Sequence, residues 1–229
     1  MNHDELMRSD VDICDGSGGV DAAINNQNII QPNRGSITLI LGPMFASKST
    51  AVIAVIRKNM IAKRRCAVIK SKIDNRYTDH SAIVSHDGAT VGTTVGADGC
   101  TNQQLPLSFS AENCEECDEA IIANNIQVVG IDEGQFFPDI AQFADKWANA
   151  GIEIIVSALN GDWQRKPFPN ISELIPLCEE IEKLKSICMR CYRHDATFSH
   201  RISHTGGAIA VGGSDDYMPL CRDCFAILN

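Results

Sequence analysis

The chain has 229 residues, 44% of them hydrophobic, and a formal net charge of −9. That size and apolar fraction suit one sizeable domain with a small appendage. The acidic balance leaves no basic surplus to neutralise a phosphate backbone, which excludes general nucleic-acid affinity, and no apolar run approaches the roughly 18–20 residues of a membrane span.

Residues 1–34 carry Asp4, Glu5, Asp10, Asp12, Asp15 and Asp21 against Arg8 and Arg34, with the small polar run Asp15-Gly16-Ser17-Gly18-Gly19. Such a segment cannot bury enough apolar surface to offset its ordering entropy, which predicts a disordered acidic arm. Its start lacks the apolar core of a signal peptide, so a cytoplasmic setting is expected.

Ile37, Leu39, Ile40 and Leu41 form a short apolar run that reads as a buried central strand. Gly42 and Pro43 break it, and Lys48, Ser49 and Thr50 open a segment with helical character. Strand, glycine turn, Lys-Ser and helix is the layout of a phosphate-binding loop. Backbone N–H groups would wrap the phosphates, Lys48 would neutralise them, and the Ser49 hydroxyl would ligate Mg²⁺. The pattern G-x-x-x-x-G-K-[ST] is broken at Ser47, where glycine is expected. The alternative is an ordinary turn.

Ala51 to Ile56 continue as a helix, and Lys63, Arg64 and Arg65 fit its C-terminus. Cys66-Ala67-Val68-Ile69-Lys70 is a second strand. The polar stretch from Ser71 to Gly88 reads as a surface loop, though Asp74-Asn75-Arg76-Tyr77 and Ser85-His86-Asp87-Gly88 just past a strand end could also line a ligand crevice. Gln104 to Asn125 read as a connector and a helix. Ile126 to Ile131 form a buried strand that runs directly into Asp132-Glu133. Two acids ending a core strand are either a helix cap or a functional pair whose first member holds Mg²⁺, directly or through water; beside a Lys-Ser loop the second reading is favoured. Ile140, Phe143 and Trp147 recur at helical spacing and read as core, with Gly151 closing the helix. Ile152 to Val156 are a further strand, ending near Leu159-Asn160-Gly161. Strands alternating with helices predict a parallel, helix-covered sheet.

From Lys185 the character changes. Cys188-Met189-Arg190-Cys191 and Cys221-Arg222-Asp223-Cys224 are two Cys-x-x-Cys knuckles, with 29 residues from 192 to 220 between them. Matched pairs predict a four-thiolate zinc site with no open position for water, hence structural; disulfides or free thiols are the alternative. Of the ten cysteines, Cys114 and Cys117 repeat the spacing without a second half and read as incidental.

Taken together, these motifs resemble those of the cellular and poxvirus-type thymidine kinases, the type II deoxynucleoside kinases. The resemblance covers about residues 36–225 and rests on Gly42-Pro43-Met44-Phe45 with Lys48-Ser49-Thr50, Asp74-Asn75-Arg76-Tyr77, Gly130-Ile131-Asp132-Glu133-Gly134-Gln135-Phe136-Phe137-Pro138-Asp139, Gln164-Arg165-Lys166-Pro167-Phe168, Gly212-Gly213-Ser214-Asp215-Asp216-Tyr217 and the four knuckle cysteines. It implies a P-loop NTPase-like (RecA-like) parallel sheet flanked by helices, with a small C-terminal Cys₄ zinc ribbon bearing a long lasso loop. Residues 1–34 would be the arm, 35–184 the nucleotide-binding domain, and 185–229 the zinc-binding and nucleoside-lid domain.

The implied activity is transfer of the ATP γ-phosphate to the 5′-hydroxyl of thymidine, with deoxyuridine as a further substrate, giving dTMP for pyrimidine salvage and DNA synthesis. By the same resemblance Glu133 is the general base. Gly42, Pro43, Met44, Phe45, Ala46, Ser47, Lys48, Ser49 and Thr50 form the ATP loop. Ser49 and Asp132 position Mg²⁺, Asp74 and Arg76 face the phosphates or the metal's water shell, and Gln135 lies at the nucleotide site. Met44, Phe136, Leu159 and Trp163 line the nucleoside pocket. Ser199 meets the base methyl, while Tyr217 and the backbone of Ala208, Ile209, Ala210, Val211 and Gly212 read the base edge. A homotetramer is implied on the same ground.

Three departures stand out: Ala46-Ser47 in the loop, Asn160 where many relatives carry aspartate, and Trp163 in place of the commoner phenylalanine. If position 47 needs a positive φ, serine there is strained. The alternative function is therefore a catalytically impaired nucleotide-binding relative. A zinc-ribbon nucleic-acid binder is disfavoured by the acidic charge.

Overall fold

A computed structural model describes residues 34–73, 82–84, 90–92, 105–202 and 215–228. Residues 1–33 of the expected arm, Asp74, Arg76, the Ser85–Gly88 cluster and Ala208 to Gly212 all lie outside the described residues.

Six strands build one sheet: β1 (Ser36–Gly42), β2 (Cys66–Ser71), β5 (Leu107–Ala111), β6 (Val128–Ile131), β7 (Glu153–Leu159) and β8 (Glu180–Lys183). Their order is β5-β2-β6-β7-β1-β8, and every pairing is parallel. Parallel neighbours need crossover connections, and helices supply them. Helix α1 (Lys48–Ile61) follows β1, α2 (Glu115–Ala123) follows β5, α3 (Ile140–Asn149) follows β6, and α4 (Pro169–Leu174) follows β7.

The four inner strands β1, β2, β6 and β7 are buried on both faces, so alternate side chains feed two separate cores. Ile40, Val68, Val128 and Ile155 point to α1 and pack with Val52, Ile53 and Ile56. Leu39, Leu41, Ile69, Ile131, Ile154 and Val156 point the other way, into a cluster with Phe137, Ile140, Phe143 and Trp147. The three-and-four spacing of Ile140, Phe143 and Trp147 puts all three on one buried face of α3, each contributing about 1.5–3 kcal/mol. Gly130 lets α1 lie close: a Cβ there would stand 2.9 Å from the Val52 side chain and 3.0 Å from that of Ile56.

Two expectations need correction. The stretch Gln104 to Asn125 is not only connector and helix, because it holds β5, an edge strand of the main sheet. Within Ser71 to Gly88, read as a surface loop, lies β3 (Ala82–Val84), antiparallel to β4 (Thr90–Gly92). Beyond β8 come β9 (Ser186–Ile187), β10 (Asp195–Ala196), β11 (Phe198–Arg201), β12 (Tyr217–Leu220) and α5 (Arg222–Leu228), with β9 antiparallel to β10 and β11 antiparallel to β12. Their buried side chains form a third, small cluster: Cys188, Ala196, Leu220, Cys221, Cys224 and Phe225.

Candidate active site

The ends of β1, β6 and β7 lie side by side at the carboxyl edge of the sheet, where ligands of open α/β folds are received. After β1 the chain turns through Pro43 to Ser47 and enters α1 at Lys48. Gly42 is closely packed here: a Cβ would sit 3.0 Å from the Leu184 carbonyl oxygen. The turn takes left-handed backbone at Phe45 (φ 62°) and at Ser47 (φ 58°, ψ 28°). Position 47 therefore does use the positive φ that glycine would adopt freely. Ser47 is exposed, and its side chain makes no capping hydrogen bond to α1. Lys48 is buried and donates from Nζ to the Pro43 carbonyl at 2.8 Å, which holds the amine inside the turn.

The Ser49 hydroxyl donates to Asp132 Oδ1 at 3.0 Å, across 83 residues of sequence. The Ser157 hydroxyl, buried on β7, donates to the same oxygen. Burial pushes the Asp132 carboxyl up to about 6, helped by the Glu133 charge; the bonds from Ser157 and Ser49 and the Lys48 charge pull it back. Lysine, serine and the acid pair thus act on one another, as the motif spacing predicts. Glu133 is itself left-handed (φ 53°, ψ 48°) and half-buried. The Gln135 side chain donates to Glu133 Oε2 at 2.5 Å and accepts from the Leu159 N–H at 3.0 Å, tying the acid to the end of β7.

The nucleoside-pocket candidates fall on four elements. Met44 is in the turn, Phe136 in the 3-10 turn Gly134–Phe136, Leu159 at the end of β7, and Trp163 in the tight turn after it. Ser199 on β11 and Tyr217 on β12 are buried, and the Ser199 hydroxyl accepts from the Met44 N–H at 3.0 Å. That bond joins the turn after β1 to the C-terminal strands. A second link is formed by Asn160, whose side-chain amide donates to the Thr197 carbonyl at 3.1 Å. A carboxylate could not donate there, so the departure at position 160 supplies a tether that aspartate would lose. Asn160→Asp is expected to destabilise the fold by about 1–3 kcal/mol through an unsatisfied carbonyl, read as a lower denaturant midpoint at unchanged slope. An unchanged midpoint would show that water replaces the amide without cost.

The Gln164–Phe168 run meets β11 and α5 through cation–π contacts. Arg165 lies 4.9 Å from the Phe225 ring centroid and 5.6 Å from that of Phe198, and Arg222 lies 5.1 Å from Phe198. This packing, Ser157, and Asn170, whose side chain meets the Gly134–Phe136 turn, were all missed from the sequence. A serine inside the apolar strand Ile154-Ile155-Val156-Ser157-Ala158 was the one legible signal among them.

Cys188, Cys191, Cys221 and Cys224 bring their four sulfurs within 4.8 Å of one another, a set that could hold a metal ion. Cys188 is pushed up by burial, but N–H groups of Cys191, Cys221 and Arg190 pull it down further, to about 6. Cys224 is raised by desolvation, to about 12, and so are Cys114 and Cys117, which are buried in the main core, Cys117 to about 12. Reading that pair as incidental fits their packing.

A parallel sheet with a lysine-bearing turn at its carboxyl edge, and a strand-end aspartate bonded to the next serine, defines an α/β protein of the phosphate-loop class. The family profile described as Thymidine kinase matches residues 35–225. The thymidine kinase of rabbit fibroma virus (strain Kasza) is 45% identical over 191 residues, 83% of this chain and 96% of the relative. That of myxoma virus (strain Lausanne) is 42% identical over the same shares, and that of vaccinia virus (strain Western Reserve) 41% over 84% of this chain and 98% of its own. The chain belongs to the thymidine kinase family.

Proposed function

We propose that the protein is a thymidine kinase, transferring the γ-phosphate of ATP to the 5′-hydroxyl of thymidine to give dTMP and ADP. The observation that carries this reading is the Ser49–Asp132 hydrogen bond, which sets the phosphate-loop hydroxyl and the strand-end acid on one point. Lys48 and the turn N–H groups stabilise charge on the transferring phosphoryl group, and Glu133 accepts the proton of the 5′-hydroxyl. Ser49 and Asp132 would hold Mg²⁺, which when bound neutralises phosphate charge and orients the oxygens. Met44, Phe136, Leu159 and Trp163 form the apolar nucleoside wall, with Ser199 and Tyr217 at the base. A steady-state assay with ATP, Mg²⁺ and a panel of deoxynucleosides tests it: thymidine and deoxyuridine should be phosphorylated and purine deoxynucleosides should not. No turnover of thymidine would refute the reading.

The four knuckle cysteines bind one structural zinc. Tetrahedral Zn–S bonds of about 2.3 Å place sulfurs about 3.8 Å apart, and Cys191 Sγ and Cys221 Sγ stand at 3.9 Å. We take residues 35–184 as the nucleotide-binding domain and 185–229 as the lid and zinc domain; the homotetramer rests on the family resemblance and is checked by light scattering.

The impaired-relative reading rests on Ser47 alone. A non-glycine residue in left-handed backbone costs about 1–2 kcal/mol, and no capping bond by the Ser47 hydroxyl offsets it. Ser47→Gly is therefore expected to lower the ATP KM or raise kcat, at unchanged thymidine selectivity, because the strain falls on the phosphate turn and not on the base pocket. Both constants are compared at identical Mg²⁺. Equal or better performance by the parent chain would mean that the loop tolerates serine.

A further inference from the structure

Glu133 sits in strained backbone, and such a residue persists only where its surroundings over-determine it. Three observations show what does so. Gly134 is pressed against β7: a Cβ would stand 2.6 Å from Val156 Cγ1. The turn closes on itself, with Phe136 N–H donating to the Glu133 carbonyl at 3.0 Å and Phe137 N–H to the Gly134 carbonyl at 3.1 Å. The third is Asn170, at the start of α4. Its side-chain nitrogen faces the carbonyl oxygens of Phe137 at 2.8 Å, Gln135 at 3.2 Å and Gly134 at 3.3 Å. Three acceptors around one atom fix the amide orientation, because only its nitrogen can donate.

The turn that Asn170 grips is the one that aims the acid. Gln135 has its main-chain carbonyl on Asn170, its side-chain oxygen on the Leu159 N–H and its side-chain nitrogen on Glu133 Oε2. Shifting that main chain moves the atom that holds the carboxylate. We infer that Asn170 is a positioning residue for the Glu133 carboxylate, acting through the Gly134–Phe136 turn and Gln135; this rests on Glu133 being the proton acceptor. The amide acts on the main chain of the turn. It fixes three carbonyls at once, so that the carboxylate meets the 5′-hydroxyl without searching.

Asn170→Asp keeps the shape, removes the donor and sets a carboxylate against three carbonyl oxygens; Asn170→Ala removes the amide without adding charge. Either change should lower kcat about tenfold or more with both KM values within about threefold, since slight misplacement of a reacting group slows the step steeply. The measurement is made well below the melting temperature of each variant. A purely structural role would also lower kcat by loosening the site, so the decisive readout is the same change made in Glu133→Gln. If Asn170 acts through the carboxylate, the second change should cost less than about twofold there, because the group it aims is already gone. Losses that multiply in the double variant overturn the inference, as does unchanged kcat in the single variants or failure of both to fold. Near-wild-type turnover by Glu133→Gln alone would instead refute the proton-acceptor reading, whatever Asn170 does.

Discussion

Glu133→Gln is expected to lower kcat by about 10²-fold or more, with the thymidine KM changed by less than about threefold. The substitution keeps the shape and can still accept the hydrogen bond from Gln135, so the turn has no reason to rearrange. What is lost is basicity toward the 5′-hydroxyl, a group whose proton must leave as the phosphoryl group arrives. That proton is in transit only in the transition state, so the loss falls on kcat and spares binding. Asp132 is a poor substitute, since its Oδ1 already accepts two hydroxyl bonds and its carboxyl is buried. Steady-state rates and thymidine titration by calorimetry separate the two effects. Retained turnover would move the proton to water or to phosphate oxygen.

The second large effect concerns the knuckles. Cys224→Ser is expected to reduce zinc from about one per chain to near zero and to abolish thymidine turnover, while ATP binding to the phosphate loop changes little. The reason is the size of the third cluster. Apart from cysteines, its buried residues are Ala196, Leu220 and Phe225. So few apolar side chains cannot offset the ordering entropy of the strands around them, whereas a structural zinc in zinc-finger peptides contributes about 10–16 kcal/mol. Loss of the metal should therefore melt β9 to β12, taking Ser199 and Tyr217 from the site. The two larger clusters pack without these residues and should hold. Metal analysis, proteolysis of the C-terminal segment and nucleotide titration give the three readouts. A fully active, metal-free native protein would refute the zinc assignment.

The central strands were legible because they are apolar on both faces: Ile37 to Leu41, Ala67 to Ile69, Val128 to Ile131 and Ile154 to Val156 leave little choice but burial. The edge strands were not. Leu107-Ser108-Phe109-Ser110-Ala111 is only partly covered, and the Glu180-Ile181-Glu182-Lys183 strand is exposed throughout, so neither shows a continuous apolar run. The loop lysine, its serine and Asp132 could be matched through motif spacing, since chemistry fixes which groups must meet. Asn170 and Ser157 could not, because an amide or a hydroxyl takes its meaning from the acceptor it finds, and that acceptor lies 25 to 36 residues away in the chain.

The placement of β1 between β7 and β8 bears on how the protein is made. Ser36 pairs with Glu153, and Thr38 with Glu180. β1 therefore has no sheet partner until β7 is made, through to Gly42, which pairs with Leu159. At about 5–20 residues per second, that is a wait of roughly 5–20 s. Throughout it the β1 main chain lacks its strand neighbours, and Leu39 and Leu41 lack Ile154 and Val156 of their cluster. The nucleotide loop is thus encoded early and assembled late, and an unpaired apolar strand in that interval is the kind of edge that favours aggregation.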